Sequence, residues 1–77
     1  MFRVSFSYLY PSAQMAYQGL IEIAKLIGVF DCHSKFTCAY SRHCHFYFDT
    51  AEDRQRFVDI VVLLEQFKIT SLGKADA

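Results

Sequence analysis

The 77 residues carry eight basic and eight acidic side chains, one Pro, three Gly and no Trp, and 53% of them are apolar. That composition excludes a disordered chain and a second domain, and its zero net charge removes any global electrostatic attraction to nucleic acid or anionic membrane. A domain this small buries only about 60% of the surface its unfolded chain exposes, so a partner or a second copy is a natural supplement. Cys32, Cys38 and Cys44 are odd in number, and Arg3, Ser5 and Ser7 interrupt what would be the apolar core of a signal sequence. Both features point to free thiols and a cytosolic setting. No apolar run approaches the ~20 residues of a membrane span.

Phe2, Val4, Phe6, Tyr8 and Tyr10 alternate with Arg3, Ser5, Ser7 and Leu9, which predicts a first strand over residues 2–9 with an aromatic inner face. Pro11 ends it. Ser12 is the expected N-cap of a helix reaching Ile27, and Gly28 is its stop signal. At about 100° per residue, Ala16, Leu20, Ile23, Ala24 and Ile27 form the buried stripe, with Gly19 beside it for a close approach of helix to sheet.

Residues 29–34 read as a connection. Lys35 to Tyr40 alternates again, with Phe36, Cys38 and Tyr40 on one face, and a tight turn around Ser41 and Arg42 leads into a third strand. In that strand Cys44, Phe46 and Phe48 face one way and His43, His45 and Tyr47 the other. Asp49 or Thr50 caps a second helix reaching about Gln66, since each has an acid three residues on. Its stripe is Phe57, Ile60, Val61, Leu64 and Phe67. Lys68 to Leu72 is a short fourth strand, and residues 73–77 read as a disordered tail.

The order βαββαβ gives a single α+β domain over residues 1–72. It is expected to be a ferredoxin-like plait, a four-stranded antiparallel sheet with both helices on one face. The other face is then open and displays Arg3, Lys35, Thr37, His43, His45, Tyr47 and Lys68, a candidate partner-binding surface with no acid in its middle. A second candidate is the set of apolar residues flanking the helix stripes: Tyr17 and Ile21 on the first helix, and Val58, Val62 and Leu63 on the second. Such over-wide apolar helices suit contact with another chain, including a homodimer.

Chemistry is thinly represented. His43 and His45 point the same way from a strand and could ligate zinc, yet Cys38 and Cys44 alternate onto the core face, and no C-x-x-C or H-x-x-x-H spacing occurs. Cys32 beside His33 is the one candidate nucleophile, with no orienting third group. No catalytic residue, metal or cofactor is therefore assigned, and the chain is read as a non-enzyme.

From Arg42 to Phe48 the chain resembles the third-strand motif of the RNA recognition motif family, and D-T-A-E-D-R-Q-R-F (Asp49–Phe57) resembles the start of that family's second helix. The resemblance implies single-stranded RNA binding on the open sheet face, where the family stacks bases on outward aromatics. Here His43 and His45 occupy those positions, Arg42 and Cys44 stand where glycines are expected, and Ser5 and Ser7 replace the first-strand aromatic. In scale and expected architecture the chain is also similar to small inhibitors that phages encode against host machinery, including anti-CRISPR proteins with ferredoxin-like folds, with no shared motif. The leading expectation is a small cytoplasmic protein-binding module that occludes a partner's working surface or associates with itself. Nucleic-acid binding on the sheet face and a His/Cys metal site are the alternatives.

Overall fold

The computed structural model describes residues 1–74. Its elements are β1 (Phe2–Leu9), α1 (Gln14–Ile27), β2 (Val29–Cys38), β3 (Ser41–Phe48), α2 (Ala51–Val61) and β4 (Phe67–Lys74). Among the described residues the strands form one antiparallel sheet in the order β2-β3-β1-β4, with both helices packed on one face: the ferredoxin-like plait.

The alternation in β1 and β3 decides which face is covered. Val4, Phe6 and Tyr8 from β1, and Cys44, Phe46 and Phe48 from β3, are enclosed beneath the helices. Phe6 sits at the centre, with ring centroids of Phe46, Phe67 and Phe57 at 5.3, 5.6 and 6.1 Å. Phe57 of α2 stacks on Phe46 at 4.8 Å, and Tyr17 of α1 stacks on Tyr8 at 4.8 Å. Burying each such side chain contributes about 1.5–3 kcal/mol, so this aromatic cluster is the principal source of stability.

Several boundaries differ from the sequence-based expectations. Ser12 does not cap α1: its Oγ donates to the Leu9 carbonyl at 3.2 Å, and Ala13 takes the N-cap position without a side-chain cap. Gly28 does end the helix, in the left-handed region at φ 113°. Thr50 caps α2, its hydroxyl accepting from the Asp53 amide at 3.1 Å. That helix stops at Val61 rather than near Gln66, because the Leu63 and Leu64 amides turn back onto the Ile60 and Val61 carbonyls. Phe67, expected on the helix stripe, instead opens β4 and packs edge-on against Phe6.

Residues 29–34 are strand rather than connection, and the β2–β3 turn is Ala39–Tyr40, not Ser41–Arg42. Among the described residues none other than Gly has positive φ, so this is not a primed hairpin turn. The register slips between Phe36 and Cys38 just before it. β4 extends through Gly73 and Lys74, which were expected in the tail; the rest of that expectation, residues 75–77, lies outside the described residues.

Gly19 is exposed, and a Cβ added there would meet nothing within 4 Å, so close helix–sheet approach does not explain it. Tyr17 and Val58, expected on the outer flanks of the helices, are buried in the core. Both helices are rotated slightly about their axes relative to the expected stripes, which brings Tyr17, Leu20 and Ala24 inward on α1 and Phe57, Val58 and Val61 inward on α2.

Candidate functional site

On the uncovered face, direct cross-strand partners bring β2, β3 and β1 side chains into rows. His33, His45 and Ser5 form one row, Lys35, His43 and Ser7 the next, and Asp31, Tyr47 and Arg3 the third. The imidazoles are close: His33 and His45 ring centroids lie 5.2 Å apart, and His43 and His45 lie 4.8 Å apart. The Tyr47 ring lies nearly parallel to that of His33, at 5.9 Å and 16°.

Two hydroxyls hold the β3 histidines. His45 Nδ1 and Ser5 Oγ share a hydrogen bond of 2.7 Å, and His43 Nε2 and Thr70 Oγ1 share one of 2.9 Å. Among the described residues Ser5 is the one polar residue in the buried set, at 1% exposure. Burial lowers the His45 pKa, and the neighbouring His43, His33, Arg3 and Lys35 lower it further. His45 is therefore held neutral at pH 7, a hydrogen-bonding group rather than a charge.

The fixed positive charges lie around this row. Lys35 and Lys68 are exposed on β2 and β4, while Arg3 lies across β4, close enough that a Cβ at Gly73 would be 2.6 Å from its Nη2. Asp31 joins the face at its β2 edge through the Tyr47 register. Thr37 stays exposed at the irregular end of β2, its hydroxyl donating to the Ser41 carbonyl at 3.3 Å. The structure thus brings Arg3, Lys35, His43, His45 and Tyr47 onto one surface, with Lys68 and Thr37 at its margins, as expected from the sequence.

His33 and Asp31 also stand on this face, because β2 begins before the expected start at Lys35. Carrying the Lys35 alternation two and four residues back would have placed both on this face. A second unrecognised feature is an aromatic group at the hairpin end on the helix side. Arg42 lies 4.5 Å from the Phe36 ring centroid and 5.8 Å from that of Tyr10, and it donates to Ser34 Oγ at 2.9 Å. Phe36 and Tyr40, expected on a core-facing strand face, are exposed: Tyr40 lies in the turn and Phe36 at the register slip before it.

The helix-flank candidates divide. Tyr17 and Val58 are core residues and Ile21 packs against the core, whereas Val62 and Leu63 are exposed in the turn after α2. Met15 and Leu26 are exposed on α1.

Strand geometry separates the elements of the candidate nucleophile. Cys32 and His33 are consecutive in β2, so their side chains leave on opposite faces. Burial and the Asp31 carboxylate both raise the Cys32 pKa, the reverse of what activates a thiol. Burial pushes the Cys44 thiol up to about 12. Cys44 lies across the sheet from the imidazoles, Cys38 is exposed, and no group of three or more His, Cys, Asp or Glu among the described residues is arranged to hold a metal ion. A cavity of about 290 Å³ between the β1 end and the α2–β4 turn is lined by Leu9, Ser12, Ala13, Glu65 and Gln66, with Glu65 its one charged group. No described helix is long and apolar enough to cross a membrane.

No protein-family model, curated protein or solved structure matches this chain.

Proposed function

We propose that the protein is a small, non-catalytic protein-binding module that uses its uncovered sheet face to occlude an acidic working surface of a partner, in the manner of a phage-type inhibitor acting in a cytoplasm. The observation that carries this reading is the histidine row itself. Two of the clustered imidazoles, His45 and His43, are fixed by Ser5 and Thr70 before any partner arrives, and the cluster is flanked by the exposed cations Lys35 and Lys68. A preordered face loses little side-chain entropy on docking, and its charges favour an acidic counterpart. The neutral His45 imidazole and the Tyr47 side chain supply hydrogen-bonding groups between the cations without the cost of desolvating further charge.

The geometry speaks less for RNA than for protein. His43 and His45 meet at 62°, edge against face, and β1 contributes Ser5 and Ser7 rather than a ring, so the nearly parallel His33 and Tyr47 rings have no continuation across β3 and β1 as platforms for bases. The test is capture of partners from nuclease-treated extract of the native host by wild type and by His43→Ala/Lys68→Glu. A protein retained by wild type and lost by the variant, with unchanged melting of both, supports the reading. Loss of all retention on nuclease treatment, with affinity falling steeply with salt, instead identifies a nucleic-acid binder.

A further inference from the structure

We infer that the chain pairs with a second copy of itself along the outer edge of β2, antiparallel, about a two-fold axis at His33. β2 is the last strand of the sheet, so one side of its backbone has no strand neighbour among the described residues. The Cys32 amide donates to its own neighbour's carboxylate, Asp31 Oδ1, at 2.9 Å, which marks it as an amide the β3 ladder leaves free. A free edge of this kind is a template for another strand.

The sequence along that edge is self-complementary. Asp31 and Lys35 are both exposed, both lie on the open face, and stand two residues either side of His33. Antiparallel pairing centred on His33 sets Asp31 of each copy opposite Lys35 of the other, two opposite-charge cross-strand pairs by symmetry. Sliding the register by one step either way sets Asp31 opposite a histidine or a threonine and loses both pairs. On the helix side, Cys32 meets Ser34, small side chains that leave the backbones free to approach. Phe36, 51% exposed, lies at the two ends of the contact and gains cover.

Register slips at Val29/Asp31 and Phe36/Cys38 confine the regular edge to residues 31–36, centred next to His33. With Cys32 and Ser34 directing their amides outward, the His33 pair is the close, non-hydrogen-bonded kind. The two-fold axis stands perpendicular to the sheet, so both histidine rows lie on one continuous face of doubled width. This inference does not rest on the proposed function, and a monomeric chain could still dock a partner through a single face.

The test is molar mass by light scattering across a concentration series, for wild type, Asp31→Lys, Lys35→Asp and the double exchange. Wild type is expected to reach the mass of two chains. Each single variant sets like charges opposite each other and is expected to weaken association about tenfold or more. The double exchange restores it, because the pairs are re-formed with signs reversed. Both positions are exposed, and unchanged melting confirms that the variants fold. A mass of one chain at all concentrations, single variants that associate like wild type, or a double variant no better than the singles would each overturn the inference. So would a dimer that dissociates on Val62→Glu but not on Asp31→Lys, which would place the contact on the helix side.

Discussion

His45 Nδ1 lies 2.7 Å from Ser5 Oγ, and the two residues are direct partners in the β1–β3 ladder, so one cross-strand pair carries both the innermost imidazole of the open face and its buried hydroxyl. This pair ties the polar side of the sheet to the same two strands that hold the aromatic core.

Acidification should destabilise the protein through His45. Its folded-state pKa is lowered, so the unfolded chain binds a proton first as pH falls, and stability is lost from about pH 7 downward through the histidine range. Thermal melts between pH 7.5 and 5 are expected to show a falling Tm for wild type and a shallower fall for His45→Gln.

Gly19→Ala should stabilise α1 by about 1 kcal/mol, since the position is helical and has nothing for the new methyl group to strike. That corresponds to a Tm rise of about 4–8 °C for a domain of this size. A fall in Tm would show that the outer side of α1 is covered by something.

Thr50→Ala removes the hydroxyl that accepts from the Asp53 amide and is expected to cost about 1 kcal/mol, whereas Thr50→Ser should retain most of the cap. Urea titration of the three proteins measures both differences.

The cysteines should react with a disulfide reagent in order of their surroundings. Cys38, exposed near the hairpin, is expected to react first and Cys32 more slowly, because burial and Asp31 disfavour its thiolate. Cys44, buried and pushed up to about 12, should stay protected until the chain unfolds. Mass spectrometry of a timed labelling series resolves the three.

Strands with one enclosed face were legible in the sequence, because burial writes a period of two into Phe2–Leu9 and Ser41–Phe48. β2 was only partly legible for the converse reason. As an edge strand only partly covered by α1, it buries neither face fully, so Asp31, Cys32, His33 and Ser34 show no apolar alternation. The α2 terminus was overextended because Leu64 and Phe67 keep helical spacing while serving a turn and a strand. Of the candidate surface, the β3 residues followed from alternation alone. The contribution of His33, the hydroxyl partners Ser5 and Thr70, and the burial of Tyr17 and Val58 needed the cross-strand register and the rotation of each helix.

The account stands on the claim that partners meet the histidine-bearing side of the sheet. Imidazole and methyl NMR spectra of labelled protein, recorded with and without the captured partner, test this most directly. The expected result is perturbation of the His33, His43 and His45 ring signals with the Met15, Leu26 and Leu63 methyl signals unmoved. Unmoved imidazoles with shifted methyls from α1 and the turn after α2 would contradict it.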